Sequence, residues 1–232
     1  MNIALILAGG VGSRLRTDGF PKQYIEIEGK PVLIYTLEKF QVCQDVDKIV
    51  VVANEQWKTD ILSWADKFGI SKLCDIAEPG ETRQDSVFNG LLACEPHQET
   101  AEDIVLIHDA ARPLVTPEQI TACTEAGKTC DGCVPVIPMK DTVYYSVDGK
   151  SVTNLTDRST LFCGQSPEAF NLQKYLQLNK ETPAEQLKLI RGCCELAYQN
   201  GFNLCMVPGE ETNFKLTTMA DLERLRSILA EQ

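Results

Sequence analysis

The sequence predicts an α/β fold: a mainly parallel sheet sandwiched by helices, with a β-hairpin arm inserted late in the chain. Three observations carry this. Apolar runs of strand length, at 3–8, 48–53, 103–108 and 133–138, alternate with amphipathic stretches of helical length, the order that builds right-handed crossovers. The first run is followed at once by Gly9, Gly10 and Gly12, so the chain turns sharply at the carboxyl end of a strand. At 143–155 the pattern changes to strand alternation around Asp148-Gly149, the signature of a hairpin.

Taken in order, 24–28 reads as a short strand turned by Gly29. Pro31 suits the first turn of a helix to about Val42, with Leu33, Leu37 and Phe40 on its apolar face. Lys48 to Ala53 is a buried strand, 56–68 a helix stopped by Gly69, and 73–77 a weaker strand. The loop from Glu78 leads through Gly80, Glu81 and Ser86 into a helix ending near Cys94. Asp103 to His108 is a buried strand, and Thr116-Pro117-Glu118-Gln119 is a helix start with Thr116 as cap. Cys133 to Pro138 is a strand that runs into the hairpin, after which the chain returns toward Phe162 to Ser166. Two helices are expected at 171–179 and 183–200, then a strand at 202–208 and a last helix capped by Thr218.

Composition narrows the function. With 232 residues, 44% hydrophobic and 24% charged, the chain can bury a sizeable core. No apolar run approaches the ~18 residues of a membrane span, and Met1-Asn2 leads straight into strand residues without a signal-peptide region, so a cytoplasmic location is expected. A net charge of −11 argues against a nucleic-acid partner but not against a small anion bound by a few focused cations. Ten cysteines are scattered through apolar stretches and read mostly as reduced core residues. Cys130 and Cys133 form a C-x-x-C, but a zinc site would want a second pair that the sequence does not supply.

The chemistry concentrates after the strands. Glycines at 9, 10 and 12 let backbone N–H groups approach an anion, and Arg14 and Lys22 follow on the same loop. A Walker loop needs Gly-Lys-Ser/Thr where Ser13-Arg14 follows Gly12, and a dinucleotide fingerprint needs a third glycine where Leu15 stands. Gly80 permits close approach and Ser86 lies on a first helical turn, which suits either a base edge or simple capping. Asp109 ends a central strand, placed for Mg²⁺, and Arg112 three residues on can pair with it or with phosphate. His108 beside it reads as structural, since chemistry at phosphate here needs no imidazole.

The loop Leu7-Ala8-Gly9-Gly10-Val11-Gly12-Ser13-Arg14, followed by Pro21-Lys22-Gln23, resembles that of nucleotidyltransferases. With Gly80–Leu91, His108–Pro113, Lys140–Thr142, Asp157–Phe170 and Asn213–Thr218 in the same order, the whole chain resembles the polyol-phosphate cytidylyltransferases. These include the enzymes of 2-C-methyl-D-erythritol 4-phosphate and of D-ribitol 5-phosphate. The resemblance implies a single nucleotidyltransferase domain over 1–232, Rossmann-like and of the nucleotide-diphospho-sugar transferase type, with its arm at about 140–160. It implies CTP and a polyol phosphate as substrates and Mg²⁺ as cofactor. Ala8, Gly9, Gly10, Gly12, Gly80, Glu81 and Ser86 would bind CTP, with Arg14, Lys22 and Lys215 as catalytic cations and Asp109 as the metal residue. Arg112, Thr142 and Arg158 would hold the polyol phosphate. In this family the arm exchanges with a second subunit, so a homodimer is implied, with Thr142 and Arg158 acting in either subunit's site.

Two sets of motifs divide the acceptor assignment, with Ser86-Val87 in the first. His108–Pro113, Lys140-Asp141-Thr142 and Asp157-Arg158-Ser159 resemble the methylerythritol branch, whereas Leu7–Gly10 and Gly164-Gln165 lean toward the ribitol branch. Phe214 and Glu168 depart from both. The balance favours the methylerythritol phosphate. A sugar-1-phosphate nucleotidyltransferase using another base, and a non-catalytic nucleotide-binding regulator, are the readings from other classes; the joint presence of Arg14, Lys22, Asp109 and Lys215 speaks against the second.

Overall fold

The computed structural model describes residues 1–10 and 20–231. In chain order the elements are β1 (Asn2–Leu7), a small hairpin of β2 (Glu26–Ile27) and β3 (Lys30–Pro31), α1 (Val32–Val42), β4 (Lys48–Val52), α2 (Lys58–Lys67), β5 (Leu73–Ala77), α3 (Arg83–Cys94), β6 (Ile104–Asp109), α4 (Pro117–Thr129) and β7 (Gly132–Pro138). The arm hairpin follows as β8 (Tyr144–Tyr145) and β9 (Asn154–Leu155). The chain then closes with β10 (Phe162–Gly164), β11 (Glu168–Asn171), α5 (Leu172–Glu181), α6 (Ala184–Leu187), α7 (Cys193–Gln199), β12 (Leu204–Pro208) and α8 (Met219–Ala230).

Among the described residues the main sheet runs β10-β7-β11-β6-β1-β4-β5, with β12 paired to β7. β1 lies parallel to both β4 and β6, so their carboxyl ends, Leu7, Val52 and Asp109, come out at one edge. Alternation along each strand divides the core. Ala4, Ile6, Ile49, Val51 and Leu106 face the helices α1, α2 and α4, while Ile3, Leu5, Val50, Val52, Val105 and Ile107 face α3, α5 and α7. Strands buried on both faces are why these runs read as continuously apolar. A third cluster joins α8 to the hairpin and to the segment after β6, through Ile27, Val32, Leu114, Leu216 and Leu222.

Two expectations change. The sheet is mixed near its centre because β11, not foreseen in the sequence, lies antiparallel between β6 and β7. Its four residues begin at a charged side chain after Pro167, which hides any strand period. The helix expected at 183–200 breaks in two, since Gly192 is fully extended (φ −158°, ψ 154°) and starts α7 afresh. The Cys130-x-x-Cys133 pair is split as well. Cys130 is joined in a disulfide to Cys205 of the neighbouring strand, while Cys133 is buried beside Cys123. Among the described residues no His, Cys, Asp and Glu side chains cluster as a metal cage, and no helix is long and apolar enough to cross a membrane.

Candidate active site

A cleft of about 480 Å³ opens at the carboxyl ends of β1, β4 and β6, where open α/β sheets bind ligands. Gly9, Gly10, Lys22, Gly80, Glu81, Ser86, Asp109 and Lys215 line it together, from four separate stretches of sequence. Gly12 and Arg14 lie outside the described residues. Ala8 is not a lining residue. Its N–H donates to the Val52 carbonyl at 2.8 Å, and its carbonyl accepts from Gln23 Nε2 and the Tyr24 hydroxyl, so both backbone groups are used within the fold.

The first wall is a glycine loop clipped in place from below. Gln23 Nε2 also donates to the Gly10 carbonyl at 2.8 Å, and Asn54 Nδ2 to that of Gly9 at 3.3 Å. Pro21-Lys22-Gln23 therefore does two jobs: Gln23 fastens the loop while Lys22 enters the cleft, its ammonium on the Leu216 carbonyl. A Cβ at Gly9 would stand 2.5 Å from Pro79 Cβ, so only glycine lets this loop press against the opposite wall.

That opposite wall is the start of α3. Thr82 Oγ1 accepts from Asp85 N at 3.1 Å and Asp85 Oδ2 from Thr82 N at 3.0 Å, a reciprocal capping box. Ser86 Oγ accepts from Gly80 N at 3.0 Å and donates to the Thr82 carbonyl at 2.9 Å. The two sequence readings of this loop thus coincide: the same bonds that cap the helix shape the wall of the cleft. A Cβ on Gly80 would sit 2.2 Å from Asp85 Cβ, inside that cap.

Asp109 occupies the floor. Its Oδ2 receives Lys215 Nζ at 2.9 Å and Arg112 Nε at 3.4 Å, while Oδ1 has Arg83 at 3.9 Å, beyond hydrogen-bond reach. Burial alone would raise its carboxyl pKa, but Lys215, Arg83 and Arg112 outweigh that and hold it far below the usual carboxylate range. Lys215 is aimed by its neighbours. Buried Asn213 donates to Gln119 Oε1 and the Ser166 carbonyl at 2.8 and 2.9 Å, and Leu216 N donates to Ala111 O at 2.9 Å. Arg112 also donates to the Asn213 carbonyl at 2.7 Å, bracing this segment from behind the cleft. His108 is fully buried between Ser166 Oγ and the Arg112 carbonyl, at 3.0 and 3.1 Å, and burial holds its pKa down to about 4. It serves as a neutral structural hydrogen-bonder.

Thr142 and Arg158 are elsewhere. Both lie exposed on the arm, and the Arg158 guanidinium donates to the Lys140 carbonyl at 2.8 Å. Neither lines this chain's own cleft.

Sequence reasoning missed Arg83, Asn54 and, as a role, Gln23. Arg83 had a signal: a cation at the first turn of a helix works against the helix dipole and calls for another partner. The arrangement suits a polyphosphate, with a glycine loop on one side and Lys22 and Lys215 on the other. The donor set at Asp109 also fits Mg²⁺ of the kind held by one carboxylate plus substrate phosphates, because Oδ1 has no hydrogen-bond donor among the described residues.

The family model for 2-C-methyl-D-erythritol 4-phosphate cytidylyltransferase matches residues 2–231. The chain is 41% identical over 229 residues to the 2-C-methyl-D-erythritol 4-phosphate cytidylyltransferase of Rubrobacter xylanophilus, spanning 98% of this chain and 94% of that one. It is 36% identical over 234 residues to the ribitol-5-phosphate cytidylyltransferase of Vibrio parahaemolyticus, with 100% and 97% covered. Among solved structures it resembles the 2-C-methyl-D-erythritol 4-phosphate cytidylyltransferase of Francisella tularensis, at a TM-score of 0.80 and 26% identity, with 97% and 98% covered.

Proposed function

The chain belongs to the 2-C-methyl-D-erythritol 4-phosphate cytidylyltransferase family, and on that premise we propose that it transfers CMP from CTP to 2-C-methyl-D-erythritol 4-phosphate. The observation that carries this reading is the convergence of Gly9, Gly10, Lys22, Gly80, Asp109 and Lys215 on one cleft. An oxygen of the acceptor's phosphate attacks the α-phosphorus of CTP in line. The bond to the bridging β-phosphate oxygen breaks, and pyrophosphate leaves with its electron pair, giving the CDP-polyol. The nucleophile is already an anion, so no general base is needed.

The residues therefore act by charge and position. Gly9 and Gly10 let the loop lie close to the triphosphate, and the capped turn at Gly80–Ser86 walls the cytosine. Lys22 and Lys215 neutralise charge that builds on the α-phosphate and on the leaving group. Asp109 Oδ1 would hold Mg²⁺, which supplies a further positive charge shared by the phosphate oxygens. Comparing pyrophosphate release with CTP, UTP, ATP and GTP tests the nucleotide assignment. CTP alone should support turnover, and equal rates with another base would assign the cleft to a different nucleotidyltransferase.

The ribitol reading keeps a footing in the Vibrio relative and in Leu7–Gly10 and Gly164-Gln165. Gln165, however, donates to the carbonyls of Glu210 and Asn213 at 2.8 and 3.3 Å, and its Oε1 accepts from Glu210 N. It knits the Lys215 segment to the sheet and does not itself read the acceptor. The arm supports a homodimer. Tyr144, Tyr145, Val147, Val152 and Leu155 are each 57–77% exposed, an apolar surface that calls for a partner. Docking on a second subunit would cover it and bring Thr142 and Arg158 to that subunit's acceptor phosphate.

A further inference from the structure

The cleft follows the strand order β6-β1-β4-β5 along the edge of the sheet. Asp109 ends β6, Gly9 and Gly10 follow β1, Asn54 comes just after β4, and Pro79 just after β5; all five line the cleft. The pairing of Asp109 with Lys215 marks the β6 end as the charged one, and the capped turn at Gly80–Ser86 closes the β5 end. Asn54 therefore stands on the base side, two strands from Asp109, or roughly 10 Å at the spacing of neighbouring strands. Its side chain is also spared the task its position suggests. Asn54 precedes the single helical turn Glu55–Trp57 as its N-cap, a place where asparagine commonly binds the backbone ahead, yet it makes no capping bond. The amide lines the cleft instead. Nδ2 donates to the Gly9 carbonyl at 3.3 Å, and Oδ1 accepts no hydrogen bond among the described residues.

We propose that Asn54 reads the pyrimidine and favours cytosine over uracil. The inference rests on the reading of the cleft as a CTP site. Cytosine carries an amino group at C4 where uracil carries a carbonyl oxygen. Asn54 Oδ1 accepts from the amino group; against the uracil oxygen it sets acceptor against acceptor. An unrestrained asparagine could answer by rotating its amide and offering Nδ2. The Gly9 carbonyl prevents this, because rotation would break the existing bond and bring Oδ1 against another carbonyl oxygen. The contact that fastens the glycine loop thus also fixes which atom Asn54 shows to the base. It adds a side-chain criterion to the wall at Gly80–Ser86, so its loss loosens the choice of base and leaves Lys22, Asp109 and Lys215 in place.

The test is calorimetric titration of the full-length protein with CTP and with UTP in Mg²⁺. No acceptor is added, so the result does not depend on which polyol phosphate is used. Wild type should bind CTP more tightly than UTP. Asn54→Ala removes both the reader and the clip on Gly9, and should narrow the ratio of the two dissociation constants by about tenfold, the worth of one hydrogen bond and a mismatched acceptor. Asn54→Leu, close in shape but without an acceptor, should do the same and serves if the alanine variant fails to fold. Asn54→Asp keeps an acceptor at the base and loses the donor to Gly9, so it should weaken both nucleotides while holding the ratio at wild type or above. A residue that only fastens the loop would leave the ratio unchanged in Asn54→Ala and Asn54→Leu, which would overturn the inference and leave the CTP reading standing. So would a ratio in Asn54→Asp that falls as far as in Asn54→Ala, since the lost clip would then account for it. Equal binding of CTP and UTP by wild type, or no binding of either, would overturn both.

Discussion

At the scale of single residues, the site is a problem of where charge is allowed to rest. Lys22 and Lys215 reach the cleft from segments 193 positions apart in sequence, and each is aimed by fixed neighbours: Gln23 under the glycine loop, Asn213 and Leu216 beside Lys215. Removing either cation should lower kcat by roughly 10²-fold or more, as for other lost oxyanion stabilisers. Steady-state kinetics of Lys22→Ala and Lys215→Ala check this, and near-wild-type turnover in either would remove it from the mechanism. His108 makes a different kind of prediction. Its folded pKa of about 4 lies below the ordinary 6.5, so the unfolded chain binds more protons between these values and stability falls as pH drops through that window. From pH 7 to pH 5 the loss should be roughly 2 kcal/mol in urea unfolding. His108→Asn should flatten that difference, and an unchanged slope would assign it to other groups. Lys22, Asp109 and Lys215 were legible in sequence because each is a charged side chain at the end of an apolar run or inside a motif. Arg83 was overlooked although a cation on the first turn of a helix is a signal, because the capping pattern around it fully explains its neighbours.

At the scale of elements, the parallel strands were readable because burial on both faces writes a continuous apolar run, as in Ile49–Val52. Caps were readable too: Thr116 and Thr218 each accept from the backbone N–H three residues on, as their spacing implies. β11 was hidden, since its pairing with β6 and β7 is decided by tertiary neighbours and not by its own short pattern. The arm was legible as a hairpin, its turn held by Asp148 Oδ1 accepting from Lys150 N and Ser151 N, both at 2.8 Å. What the arm does cannot be written in a single chain's contacts. If it serves the neighbouring cleft, co-expressing Arg158→Ala and Lys215→Ala chains should yield mixed dimers with one intact site and activity that neither parent has. A mixture no more active than its parents would keep each arm with its own chain.

At the scale of the whole molecule, a chain of net charge −11 can take phosphate-bearing substrates because a few cations, Lys22, Arg83 and Lys215, are focused in one cleft at the edge of the sheet. The parallel strands β1 and β6 bring the glycine loop and Asp109 to that edge, and the segment after β12 returns across it to deliver Lys215. Relatives named for two different polyol phosphates match this chain nearly end to end, so the acceptor's carbon skeleton is the point to test. The most direct test is pyrophosphate release from CTP and Mg²⁺ with 2-C-methyl-D-erythritol 4-phosphate and D-ribitol 5-phosphate as alternative acceptors. A kcat/KM strongly favouring the methylated four-carbon acceptor is the expected result; preference for ribitol 5-phosphate, or no release with either, would contradict it.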